Sequence, residues 1–241
     1  MQPAIAVIAV AGLFVALGGF VQSGIGLGLG LIGAPIVTLL DPALMPGAML
    51  VATAGLPLLI LAREPLHSDW RGASWALAGR VAGTVGGIWV LAVMSLRMLG
   101  IVVGAVVLAV VALSVREAVL PRNPATLVTA GVISGVTGTA TSISGPPVAL
   151  LYQDQNGPRV RATLSVYFIA GNSIGLAALA LSGHLPARDV VVGLVFIGCA
   201  AVGFAVAAGL RRFLDAGRTR AAVLASATGS ALILIVHSIL G

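Results

Sequence analysis

Residues 1–40, MQPAIAVIAVAGLFVALGGFVQSGIGLGLGLIGAPIVTLL, contain no ionisable side chain. An apolar helix needs about 20 residues to cross a bilayer, so this stretch is far too long for one straight span. Near its centre lie Gly24, Gly26, Gly28, Gly30, Gly33 and Pro35, residues that loosen or break a helix. A second uncharged stretch, 123–153 (NPATLVTAGVISGVTGTATSISGPPVALLYQ), carries Gly138, Gly145, Pro146 and Pro147 in the corresponding place. Each stretch either crosses the membrane once as a long helix or folds as a broken hairpin that returns to the face it left. That choice decides the topology.

The rest of the composition agrees on the solvent. Of 241 residues, 59% are hydrophobic and 8% charged, and mean hydropathy is +1.13. A soluble domain is about 25% charged, so most of this surface faces lipid. Backbone polar groups in lipid must be satisfied internally, which leaves helices or a closed barrel. The apolar runs are continuous rather than alternating, and predict helices. The net charge of +6 comes from 13 basic residues, all Arg, scattered singly or in pairs between apolar blocks. They read as topology signals rather than as a patch for nucleic acid. One cysteine, Cys199, excludes an internal disulfide and a cysteine-cluster metal site. No cofactor or metal motif is present. The N-terminus lacks a basic leader and a cleavage site, and reads as part of the mature chain.

Charges punctuate the remainder into blocks at about 42–62, 72–96 and 98–115, then 162–183, 190–210 and 221–240. The predicted organisation is a first membrane repeat over 1–115, a linker over 116–124 and a second repeat over 125–241. Sliding the chain by 112 positions places Gly19 on Gly131, Gly26 on Gly138, Gly33 on Gly145, Pro35 on Pro147, Leu39 on Leu151 and Pro46 on Pro158. Matching residues and matching block order together indicate an internal duplication, a recurring feature of transporter folds.

Arginine counting arbitrates between crossing and hairpin. Take the loop from Arg211 to Arg220 as cytoplasmic, and leave Arg80 aside as membrane-embedded. Single crossings put Arg97, Arg159, Arg161, Arg211, Arg212, Arg218 and Arg220 inside, against Arg63, Arg71, Arg116, Arg122 and Arg188 outside. Hairpins put Arg63, Arg71, Arg116, Arg122, Arg159, Arg161 and the four loop arginines inside, leaving only Arg97 and Arg188 outside. The positive-inside rule selects hairpins. The expected fold is an all-α polytopic membrane protein of two inverted repeats, each a broken helical hairpin plus three transmembrane helices. Irregular backbone at membrane depth is tolerated where it is buried or lines a cavity, so the functional site is expected where the two breaks meet.

The first break offers Gln22, Ser23 and Gly24. The second offers Ser134, Thr137, Thr139, Thr141, Ser142 and Ser144 before Gly145. Hydroxyls, an amide and freed backbone N–H groups suit an oxyanion, because all can donate and helix N-termini add positive potential. Small polar residues also permit close helix packing, and that is the bland alternative for each hydroxyl taken singly. Arg80 lies nine residues past Arg71, inside an apolar block. It is either a counter-charge for an anion or a side chain snorkelling over about 13 Å to the headgroups. Asn172, mid-block, is either interhelical glue or a ligand contact. Gly79, Gly83 and Gly87 read as a packing stripe, and Tyr167 as structural. The candidate substrate-binding set is Gln22, Ser23, Gly24, Arg80, Thr141, Ser142, Ser144, Gly145 and Asn172.

The segments GGFVQSGIGLGLGLIGAPIV (18–37) and GVISGVTGTATSISGPPVALLYQ (131–153), followed by Arg161 and Asn172, resemble the sulfite exporter TauE/SafE family of membrane permeases. The resemblance extends over the whole chain. It implies a multi-pass protein of the cell membrane that carries sulfite, organosulfonates or related small anions by alternating access. Its partners are then the lipid bilayer and a small anionic substrate, with no nucleic acid. A channel or facilitator is the alternative. A membrane enzyme is disfavoured, since HExxH, an intramembrane acid pair and lysine are all missing from the sequence. The seven acids, Asp189 among them, read as bordering or loop residues, so a carboxylate proton relay is not expected. Export of an anion from an inside-negative cell gains about 2.3 kcal/mol per charge per 100 mV, which makes export or exchange the expected mode.

Overall fold

A computed structural model of the chain describes residues 5–26, 28–63, 68–115, 121–210 and 216–240. Residues 116–120 of the predicted linker and 211–215 of the basic loop lie outside the described residues. Among the described residues there are ten α-helices and no strand. They are α1 (Ile5–Ile25), α2 (Leu29–Leu40), α3 (Gly47–Arg63), α4 (Trp70–Val93), α5 (Leu96–Val115), α6 (Pro124–Thr141), α7 (Pro146–Leu150), α8 (Gly157–Leu181), α9 (Ala187–Leu210) and α10 (Ala216–Leu240). Among the described residues, five helices are long and apolar enough to cross a membrane: α1, α4, α5, α8 and α9. Large apolar side chains such as Leu13, Val85, Trp89 and Leu194 stand exposed on the outer faces, as a lipid-facing surface requires.

Both long uncharged stretches are broken where the glycines and prolines predict. The first stops at Ile25 and resumes at Leu29, with Gly26 at φ 81°. The second stops at Thr141, where Ser142 takes a left-handed backbone at φ 61°, and resumes at Pro146. The two return limbs differ in length. α2 has 12 residues, whereas α7 has 5 and is continued by the turns of 151–155. Two consecutive prolines start α7 without donating N–H groups, and Gly157–Pro158 open the next helix.

Side-chain contacts show which ends share a face. Arg188 pairs with Asp41. Arg122 lies 3.8 Å from Asp154, the Tyr152 hydroxyl donates to Asp69 at 3.1 Å, and Thr163 Oγ1 accepts the Asp69 N–H at 3.0 Å. Burial, and then the Asp69 carboxylate, raise the Tyr152 phenol above its ordinary pKa and keep it a donor. The first group lies beside the C-terminal end of α4 and the second beside its N-terminal end. A 24-residue helix separates them by about 36 Å. Had residues 5–40 and 124–153 each crossed once, Asp41 and Arg188 would sit on opposite faces, as would Arg122 and Asp154. These contacts exclude that arrangement.

Glycine seams hold the bundle together. α4 packs along α6 and α1 along α9, while α3 meets α8 and α5 meets α10. On α4, a Cβ at Gly79 or Gly83 would overlap the carbonyl oxygen of Val128 or Val132, and one at Gly131 on α6 would overlap that of Ala76. Across the other seam, a Cβ at Gly19 would overlap the Ala200 carbonyl, and one at Gly203 the Ala16 carbonyl. Backbones this close gain dispersion contacts that larger side chains would forbid, which is how helices associate without a hydrophobic driving force.

Candidate functional site

Where the two breaks approach one another, a cavity of about 30 Å³ is enclosed by both hairpins and by α3 and α8. Gln22, Gly28, Gly30 and Leu31 come from the first hairpin, Ser142 to Pro146 from the second, Thr53 from α3, and Phe168 and Asn172 from α8. Its size accommodates one or two waters.

Each wall is built by local chemistry. Gln22 sits in the last turn of α1, and its Oε1 accepts the N–H of Leu29 at 3.1 Å, bridging the break and capping α2. The N–H groups of the first turn of α2 precede any intrahelical acceptor. Leu29 gives its own to Gln22, and Gly30 and Leu31 line the cavity, so the positive end of the α2 dipole faces it. Across the cavity, Ser142 holds an αL backbone that is unfavourable for a non-glycine residue. Its Oγ donates to the carbonyl of Pro46 at 2.8 Å, which ties the tip of the second hairpin to the start of α3.

Behind Ser144 and Asn172 lies a buried polar network. Arg80 is 0% exposed. Its Nη2 donates to Asn172 Oδ1 at 2.6 Å, and its Nη1 donates to the carbonyl and Oγ of Ser134 at 3.2 and 3.1 Å. Ser144 Oγ donates to the same Asn172 Oδ1 at 3.2 Å. Ser134 Oγ donates to the Ser144 carbonyl and accepts from the Tyr167 hydroxyl at 2.6 Å. The guanidinium also lies 5.5 Å from the centre of the Tyr167 ring, within cation–π range. All the oxygens that accept from Arg80 are neutral. Among the described residues, two buried donors of the network have no acceptor, Arg80 Nε and Asn172 Nδ2.

The nine residues singled out from the sequence divide into two groups. Gln22, Ser142, Ser144, Gly145 and Asn172 line the cavity together. Arg80 does not line it but stands behind Asn172, and its complete burial excludes snorkelling to headgroups. Thr141 is buried outside the lining, and its hydroxyl donates back to the Thr137 carbonyl at 2.7 Å, as helical threonines often do. Ser23 is buried one residue past Gln22, away from the lining, and Gly24 lies in the last turn of α1. The sequence reading missed Thr53, Phe168 and the role of Ser134. One charged group also proves deeper than expected. Asp189 is 3% exposed in the first turn of α9, packed on Gly47 at the start of α3. The helix begins at Ala187 rather than after the acid, so Asp189 is carried into the protein.

The geometry is that of a donor-lined cavity between broken hairpins. Neither a curated protein nor a solved structure matches the chain. The family model described as sulfite exporter TauE/SafE matches residues 10–234. That match spans nearly the whole sequence, and the chain belongs to the sulfite exporter TauE/SafE family.

Proposed function

We propose that this protein is a plasma-membrane carrier that moves a small oxyanion, sulfite or an organosulfonate, through the cavity between its two hairpins by alternating access. One observation carries the reading. An orphaned amide donor and the N-terminus of α2 meet at one small cavity, and behind that amide stands a fully buried arginine with no carboxylate partner among the described residues. A buried cation held only by neutral oxygens costs several kcal/mol of lost hydration, and a bound anion offsets that cost. The sulfur-anion class is drawn from the family, whose description is that of a sulfite exporter.

Supporting the alternating-access mode, helix order and packing partners recur in the two halves, at 1–115 and 125–241. The seam of α4 with α6 answers that of α1 with α9. Hairpins that enter from opposite faces make an inverted repeat, in which one half can rock against the other about a fixed site. Outward movement of an anion down an inside-negative potential needs no second ion, at about 2.3 kcal/mol per charge per 100 mV.

Proteoliposome flux of radiolabelled sulfite tests this directly. The account predicts saturation and counterflow; flux that stays linear with concentration and shows no counterflow would establish a channel instead. In the same assay, Gln22→Ala removes the Leu29 cap, and Ser144→Ala removes a donor that holds Asn172. Each is expected to lower flux by about ten-fold, the worth of one buried hydrogen bond, with normal membrane abundance. Unchanged flux in both variants would remove the cavity from the transport route.

A further inference from the structure

An asparagine amide is ambivalent, because turning it by 180° exchanges a donor for an acceptor. At Asn172 that freedom is removed. Arg80 Nη2 can only donate, and it points at Asn172 Oδ1 from 2.6 Å. Ser144 Oγ donates to the same oxygen. A turned amide would set its NH₂ against the guanidinium N–H, losing a charge-assisted hydrogen bond and opposing two positive dipoles. The oxygen is therefore committed to the protein. Asn172 Nδ2 remains, buried and without an acceptor, on a residue that lines the cavity.

From this arrangement we infer that Asn172 Nδ2 is the group that selects the sign of the substrate, and that Arg80 is a positioning residue that locks the amide without itself touching the ligand. The inference rests on the anion-carrier reading and deepens it. A fixed donor accepts ligands that present lone pairs, such as the oxygens of a sulfite or sulfonate. It turns away cations and ligands that present N–H groups.

The lock has its own support. Ser134 holds the other end of the guanidinium through two acceptors, and Tyr167 both stacks on it and hydrogen-bonds Ser134. Room for the side chain comes from two glycines. A Cβ at Gly171, next to Asn172 in the chain, would overlap Arg80 Cδ and Nε, and one at Gly138 would lie 3.0 Å from Arg80 Nη1. Gly171 thus does for the arginine what a bulkier residue at that position would undo.

Asn172→Asp separates a selective role from a structural one. Aspartate keeps Oδ1 and both hydrogen bonds to it, and adds a carboxylate opposite Arg80. The sole losses are the Nδ2 donor and the net positive character of the cavity. In proteoliposomes, the KM for sulfite is expected to rise about 10- to 100-fold, while the purified protein melts no lower than wild type. Gly171→Ala, which displaces Arg80 and leaves Asn172 in place, is expected to raise KM in the same direction with a smaller change in kcat. If wild type carries sulfite saturably and Asn172→Asp carries it with unchanged KM, the selecting role is overturned and the carrier reading stands. If wild type carries neither sulfite, thiosulfate nor methanesulfonate, both fall together.

Discussion

Gly83→Leu is expected to abolish the folded protein, with loss of monodisperse material after detergent extraction. Even a methyl group at this position overlaps the Val132 carbonyl oxygen of α6, and that oxygen belongs to a helix backbone that cannot rotate away. A leucine adds three further carbons to the same gap. Overpacking in a well-ordered interior typically costs about 1–3 kcal/mol, and here the whole α4–α6 seam must open, so the expected loss is at least about 3 kcal/mol. Gly198→Ala is the matched control. Nothing lies within 4 Å of a Cβ at Gly198, and alanine has the better helix propensity, so its melting temperature should equal or exceed that of wild type. If Gly83→Leu melts like Gly198→Ala, the packing described for α4 and α6 is wrong.

Arg80→Met is expected to show the opposite pattern, a stable protein with its transport lost. Methionine fills the space of the arginine stem and removes a buried charge. Replacing buried ionic groups with apolar residues of similar volume is often neutral or stabilising. The partners left behind remain served: Asn172 Oδ1 keeps Ser144, and Ser134 Oγ keeps Tyr167 and the Ser144 carbonyl. The anion loses more. A unit charge roughly 7 Å from a bound anion, at an effective dielectric near 20, contributes about 2.4 kcal/mol, or roughly 50-fold in affinity. Release of the Asn172 amide from its fixed orientation adds to this. Sulfite flux in proteoliposomes is expected to fall at least about 50-fold at sub-saturating concentration, with the melting temperature held or raised. Retained flux would mean that the buried charge serves only the fold.

The hairpins could be read from the chain because two independent signals coincide there. An uncharged stretch longer than a span must do something other than cross straight, and Gly24 to Gly30 and Gly145 to Pro147 say where it bends. Arginine placement then chose between the two geometries, and the contacts of Asp41 with Arg188 and Arg122 with Asp154 agree with that choice. The cavity was legible in part for the same reason, since a polar residue beside a break has few other tasks. Thr141 shows the limit of that logic. A threonine inside a helix can donate to the carbonyl four residues back, and neither composition nor spacing distinguishes it from Ser142 one position later, whose hydroxyl reaches Pro46.

Other features depend on tertiary placement that no local pattern encodes. Thr53 and Phe168 sit on otherwise ordinary apolar helices and reach the cavity only because α3 and α8 pack together. Arg80 offered two readings of equal standing, because its nine-residue distance from Arg71 allows snorkelling. Only the closeness of α4 to α6, set by Gly79, Gly83 and Gly131, shows that the side chain turns inward. Asp189 looked like a boundary residue because the apolar run begins after it. The helix in fact starts at Ala187, and Gly47 leaves space for the carboxylate against α3.

Sided labelling of single cysteines in a Cys199→Ser background tests the central claim most directly, with cysteines placed at the exposed positions Arg122, Arg159, Ser95 and His184. Two hairpins that each return to their own face put 122 and 159 together on the cytoplasmic side, and 95 and 184 together on the other. An impermeant maleimide added to intact cells should therefore modify the cysteines at 95 and 184 and leave those at 122 and 159 untouched until the membrane is opened. Modification of 122 and 159 from opposite sides would mean that the second stretch crosses the membrane, and no cavity between facing hairpins could then exist.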